Sequence, residues 1–229
     1  MLPMHMLSEE SIDSFISKYV KPSQVVSIGT NALGEAFLKK LGLLNERNRM
    51  GLQLIPTSNS QIPLCQSMHL PITNLNDQEV DVAVEFVDEG DEDYNFLKRV
   101  TTSLVRDKMI AQSAGEVIAI LPESGWKARV GGKCAFEISS FGWKRTLLQL
   151  ERVGKVDYSL YSKEPLKTES GHFLVEAELD DGLMLEELDS LARNIPGVLD
   201  TGLFLVMADR FFIVGEEKIQ VKSRMDFEK

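Results

Sequence analysis

The chain has 229 residues, 35 acidic and 25 basic, for a formal charge of -10; 43% are hydrophobic and 7% aromatic. This excludes a disordered tail, a collagen-like or coiled-coil rod and a disulfide-stapled mini-domain, and fits one large or two small domains of roughly 100–200 residues each. An acidic chain without a basic block is a poor partner for nucleic acid, no apolar run reaches the roughly 18 residues of a membrane span, and MLPMHMLSEESIDSFI does not read as a secretory signal.

In chain order, Ser8 is placed to cap a helix through about Tyr19, with Ile12, Phe15, Ile16 and Tyr19 on one face. Gln24–Ile28 reads as a buried strand, followed by a helix carrying Leu33, Phe37 and Leu41. Gln53–Ile55, Val80–Val84 and Val117–Leu121 are further strands. Between the last two a helix is predicted over Thr101–Ala114, closed by Gly115 as its C′ glycine. Strands alternating with helices predict a doubly wound parallel sheet, a Rossmann-like α/β domain.

The second half predicts a smaller α+β module of ferredoxin-like type. Its elements are a strand at Ala135–Ile138, a helix at Gly142–Val153, and strands at Asp157–Tyr161 and His172–Ala177. A helix with Met184, Leu188, Leu191 and Ile195 follows, stopping at Pro196-Gly197, and then a strand at Val198–Met207. Strands at Phe211–Val214 and Ile219–Val221 close the chain. Gly131-Gly132 marks the boundary between the two halves.

Three stretches carry candidate chemistry, two of them where a parallel strand gives way to a helix, the edge at which open α/β sheets bind ligands. Ser27-Ile28-Gly29-Thr30-Asn31-Ala32-Leu33-Gly34 offers free N–H groups and a positive helix end to a phosphate. It has neither the GxGxxG spacing nor a Walker lysine, and on pattern alone a tight strand-to-helix turn is the favoured reading. The stretch from Asp77 to Asp93 holds nine of the 35 acids and no basic residue. Asp91–Asp93 read as a solvated acidic loop, whereas Glu85 and Asp88 fall at or just beyond a strand end, where paired carboxylates can move protons. The third stretch, Phe96 to Lys108, places Lys98 before a cappable helix and Asp107 within it. The histidines His5, His69 and His172 have no nucleophile or metal ligand at a recognisable spacing. Cys65 and Cys134 form no ligand-spaced pair, so a reducing cytoplasmic setting is expected.

The order of these motifs resembles the type A ribose-5-phosphate isomerase family over nearly the whole chain. VVSIGTNALGEAFLKKL is similar to the family's phosphate turn, LIPTS to its next strand, DVAVEFVDE to its acidic loop, and LKRVTTSLVRDKMIA to its lysine loop and catalytic helix. GGKCAFEISSFGW, TESGHFLVEAEL, NIPGVLDTGLF and FIVGEEKIQV match later segments. The resemblance implies a Rossmann-like domain of residues 1–132 plus 208–229, with the C-terminus returning to the first sheet, a small α+β domain of residues 133–207, and an aldose-ketose isomerase of the pentose phosphate pathway. It would interconvert ribose 5-phosphate and ribulose 5-phosphate through an enediolate without metal or organic cofactor, as a homodimer or homotetramer.

Carried over, the proton-moving carboxylate falls on Asp107, where the family has Glu. Ring-opening and hydroxyl-handling carboxylates fall on Glu85 (family Asp) and Asp88, and the enediolate-stabilising ammonium on Lys98. Gly29, Thr30 and Asn31 occupy the phosphate turn, Arg99 and Thr101 the lysine loop, and Lys127 matches a further family lysine after a one-residue shift. The family's GTGST, KGGG and DGAD segments here read Gly29-Thr30-Asn31-Ala32-Leu33, Lys98-Arg99-Val100-Thr101 and Glu85-Phe86-Val87-Asp88, which puts bulk where the sugar is expected to lie. Arg99 is a candidate replacement for lost phosphate donors. The departures also define an alternative, a catalytically impaired homologue acting as a phosphosugar-binding or partner-supporting module.

Overall fold

The computed structural model describes residues 7–161, 163–216 and 218–224; His5 lies outside them. The first half contains α1 (Glu9–Tyr19), β1 (Val25–Ile28), α2 (Ala32–Asn48), β2 (Gln53–Leu54), α3 (Gln61–Ser67) and β3 (Val80–Phe86). A short hairpin, β4 (Glu89–Gly90) and β5 (Phe96–Leu97), precedes α4 (Leu104–Ser113) and β6 (Ala114–Pro122). Then come β7 (Lys133–Ile138), α5 (Trp143–Leu150), β8 (Gly154–Val156), β9 (Leu166–Lys167), β10 (Phe173–Leu179) and α6 (Leu185–Arg193). The chain ends with β11 (Val198–Thr201), β12 (Leu203–Phe204), β13 (Arg210–Val214) and β14 (Ile219–Ser223).

The larger sheet has the order β14-β13-β6-β3-β1-β2, parallel throughout except for the antiparallel edge strand β14. Alternation along β3 sends Val82, Val84 and Phe86 towards α1 and α2, and Ala83 and Val87 into the cluster around α4 on the opposite face. Helix α1 begins as expected: the Ser8 side chain accepts from Ser11 N, and Ile12, Phe15, Ile16 and Tyr19 are buried. The smaller sheet, β11-β7-β10-β8 with β9 on β10, is antiparallel, and α5 and α6 cover its own apolar cluster. A third sheet, β12-β5-β4, links the two. No helix among the described residues is long and apolar enough to cross a membrane.

Four expectations are corrected. Gly115 is not a helix cap: α4 ends at Ser113 and passes directly into β6, where Gly115 is the second residue and faces the Asp81 backbone. The strand expected at Asp157–Tyr161 ends at Val156, because the Asp157 carboxylate accepts from both the backbone N–H and the hydroxyl of Ser159 and winds a short 3₁₀ turn. The helix expected over Gly142–Val153 covers only Trp143–Leu150, with Gly142 at positive φ ahead of it. Val198–Met207 is not one strand but two, β11 and β12, which join different sheets at Gly202. Helix α3 and the β4–β5 hairpin are too short to leave a periodic signal.

Gly202 makes that switch possible. Its N–H donates to Ala135 O and its carbonyl accepts from Lys98 N, and a Cβ there would collide with the Lys98 carbonyl oxygen. Gly202→Ala is expected to destabilise the protein by about 1–3 kcal/mol, the usual cost of overpacking. A urea midpoint equal to that of the wild type would show that the backbone yields there freely.

Candidate active site

Three segments distant in sequence converge at the carboxyl edge of the larger sheet. Glu85 is the penultimate residue of β3, Lys98 directly follows β5, and Asp107 lies in the first turn of α4. The Lys98 ammonium sits between the two carboxylates, 2.5 Å from Glu85 Oε2 and 2.6 Å from Asp107 Oδ2, and all three side chains are buried. Thr101 Oγ1 donates to the same Asp107 oxygen and accepts from Ser103 N. Glu85 Oε1 is buried without a hydrogen-bond partner among the described residues. A Cβ on Gly29 would lie 3.3 Å from Glu85 Oε2, so the glycine turn packs directly against this trio.

Two carboxylates around one ammonium leave excess negative charge in a dry site. Burial, reinforced by the neighbouring Asp107 charge and only partly opposed by Lys98, raises the Glu85 pKa from an ordinary 4.5 to about 7. Burial alone would lower the Lys98 pKa, but Asp107 and Glu85 override it and hold the ammonium well above the ordinary lysine value. The trio therefore combines a fixed positive charge with a carboxyl group that exchanges its proton near neutrality.

The remaining sequence candidates divide. Asp88 faces the lysine loop: its Oδ2 accepts from Arg99 N at 2.7 Å, and its Oδ1 lies 3.5 Å from the partly exposed Arg99 guanidinium. Thr30 Oγ1 is 2.6 Å from Thr57 Oγ1, and Asn31 caps α2 by accepting from Gly34 N, which commits its side-chain oxygen. Thr101 serves Asp107, as described above. Lys127 is exposed and joins the edge through its backbone N–H to Gly90 O, and its side chain makes no hydrogen bond or ion pair with the trio among the described residues.

The Phe86 ring packs edge-on against Phe37 beneath α2 and lies beside Gly29 and Gly34 of the glycine turn, Val87 is buried in the opposite cluster, and Val100 is exposed. One expectation is corrected: Asp91 is not part of a solvated loop, being buried and accepting from the N–H groups of Asp93, Asn95 and Val130 and from the Asn95 amide.

Several contributors escaped the sequence reading. Thr57 and Gln61 both bond to Ile28 O and so fix the glycine turn, although LIPTS had marked the segment. Arg106 bonds to Thr57 O and pairs with Glu169 from the smaller module, which also accepts from Asn59 N. Lys108, buried beside Asp107, donates to Asp200 Oδ1 at 2.6 Å and Thr201 O at 2.8 Å. His172 meets the buried carboxylate of Glu137 at 2.9 Å. None of these partners lies close in sequence, so spacing gave no signal.

A family model described as ribose 5-phosphate isomerase A (phosphoriboisomerase A) matches residues 53–218. The ribose-5-phosphate isomerase A of Sinorhizobium fredii is 30% identical over 210 residues, covering 87% of this chain and 90% of its own length. Ribose-5-phosphate isomerase A 1 of Oceanobacillus iheyensis is 26% identical over 206 residues, covering 89% and 92%. The solved ribose 5-phosphate isomerase of Plasmodium falciparum shares the fold, with a TM-score of 0.82 over 94% of this chain and 97% of its own, at 21% identity.

The raised Glu85 pKa sets a pH dependence. Between pH 4.5 and about 7 the folded protein keeps a proton that the unfolded chain releases, so stability is fullest below this window and falls as pH rises through it. Glu85→Gln, which cannot ionise, is expected to flatten that part of the curve of urea midpoint against pH. Parallel curves for variant and wild type would contradict this assignment.

Proposed function

The chain belongs to the ribose 5-phosphate isomerase A family, and we propose that it interconverts ribose 5-phosphate and ribulose 5-phosphate through an enediolate, with Asp107 as the proton-moving base. The observation that carries this reading is the Lys98 ammonium held within 2.6 Å of both Glu85 and Asp107 beside the glycine turn. Asp107 takes the proton from C2 of the open-chain aldose, and the electron pair moves into a C1–C2 double bond while the C1 carbonyl oxygen becomes an oxyanion. Lys98 offsets that charge where water is excluded, so its attraction is stronger than in solvent. The Asp107 carboxyl then returns the proton to C1, and the C2 hydroxyl proton passes to the C1 oxyanion, so that C2 becomes the ketone and C1 carries the hydroxyl.

Ring opening comes first and needs a proton for the ring oxygen and an acceptor for the hydroxyl proton. Glu85, still partly protonated near neutrality, is suited to the first task, and Asp88 to the second. The phosphate is assigned to the start of α2, with the backbone N–H groups of Thr30 and Asn31 as donors and the solvent-facing side of Arg99 as countercharge; the Gly29 N–H is given to Val84 O and the Thr30 hydroxyl to Thr57 Oγ1, so these two shape the turn. Residues 1–132 with 208–229 supply the reacting groups in this reading, and residues 133–207 brace them.

Purified protein is expected to convert ribose 5-phosphate to the ketose in a coupled assay. Asp107→Asn should lower kcat by about 10²–10⁴-fold, the usual range for a general base. Stabilisation by the sugar phosphate in a thermal-shift titration without turnover would instead favour the non-catalytic binding module. Arg99→Ala should raise KM with little change in kcat, and an unchanged KM would remove Arg99 from the phosphate site.

A further inference from the structure

Asp107 acts from the first turn of α4, so its aim depends on what holds that turn. The group that does so comes from the other sheet. Glu137, on β7 in the smaller sheet, is fully buried, and its two oxygens divide their work. Oε2 accepts from Ser103 Oγ at 3.0 Å and from Val105 N at 3.1 Å, while Oε1 accepts from Thr168 Oγ1 and meets His172 Nδ1, both at 2.9 Å. Ser103 is the N-cap of α4, and its Oγ accepts from Arg106 N. By accepting the Ser103 hydroxyl proton, Glu137 turns the lone pairs of that oxygen towards the helix, and by binding Val105 N it satisfies a first-turn donor directly. Its charge also lies at the positive end of the helix.

Burying a carboxylate against four donors is more than capping requires, since Ser103 alone could cap α4 from the surface. The outcome is that the turn bearing Asp107 is referenced to β7, whose neighbour β11 supplies Asp200 for Lys108 on the next residue of the helix. We infer that Glu137 is a positioning residue for the isomerisation, holding the first turn of α4 so that the Asp107 carboxylate keeps its register with Lys98 and the reacting carbons. This rests on the assignment of Asp107 as the base. A misplacement of about 1 Å at a reacting group can cost about 10²-fold in rate, so a small relaxation of the turn is visible in turnover.

In Glu137→Gln the NH₂ group can turn towards Thr168 Oγ1 and His172 Nδ1, both able to accept, and leave an oxygen for Ser103 and Val105, so the variant that tests the role is Glu137→Ala, which removes both acceptor oxygens. The variant is expected to lower kcat by about tenfold or more, with KM for ribose 5-phosphate within about twofold of wild type and a cooperative thermal transition retained. Amide hydrogen exchange should quicken at Val105, Arg106 and Asp107 in the same variant, and stay unchanged in β1 and β3. Wild-type kcat, a rate loss matched by the loss of folded protein, or unaltered exchange in that turn would each overturn the inference. If wild-type protein does not isomerise the sugar at all, the assignment of Asp107 as base fails with it. If wild type is active, Asp107→Asn is inactive and Glu137→Ala matches wild type, only the positioning role falls.

Discussion

A buried ammonium held between two carboxylates is the constraint around which this molecule is arranged. Lys98, Glu85 and Asp107 are each almost fully removed from water, and desolvating charges costs several kcal/mol per ion unless the partners are close and well oriented. The geometry meets that condition from three directions: a strand end, a residue leaving a two-residue strand, and the first turn of a helix. Gly202 holds the Lys98 backbone, Gly29 closes over Glu85, and Thr101 fixes Asp107. Hydrophobic burial alone would not favour gathering like charges, so the cost of this site is borne by the packing of two sheets around it.

The same logic explains the acidic stretch between Asp77 and Asp93. A uniform negative surface there would repel a sugar phosphate, yet many of these acids are answered locally. Asp81, Glu89 and Asp91 accept from backbone N–H groups that turns and strand ends leave free, Asp88 faces Arg99, Glu85 faces Lys98, and Glu92 pairs with Lys222. Their main work is to hold loops in place. Two neighbours of these acids are also spent on structure: Phe86 fills the core beneath α2, and Thr101 supplies a hydroxyl to Asp107.

The smaller sheet is more than an appendage. Glu137 and Asp200, on neighbouring strands, hold α4 on either side of Asp107, while Glu169 reaches across to Arg106 and Asn59. Buried polar contacts of this kind are strongly directional, because leaving one partner unsatisfied costs more than the bond contributes. They give the helix a preferred register where apolar packing alone would tolerate small shifts.

Periodicity and turn chemistry in the sequence were enough for the alternating strands and helices of the larger domain, the Ser8 cap and the succession of motifs, because these are local properties of neighbouring residues. The motif resemblance also named Glu85, Asp88, Lys98 and Asp107. Elements of two residues, the switch of sheets at Gly202, and the turns made by Asp91 and Asp157 stayed hidden, since too few residues repeat there to show a period and side chain–backbone bonds override it. Only the tertiary structure decided that Phe86 packs beneath the glycine turn, that Asn31 is spent on a cap, and that Glu137 and Lys108 bind α4 to the second sheet. Those outcomes depend on pairings between residues tens of positions apart, where burial and hydrogen-bond satisfaction, not local propensity, select the contact.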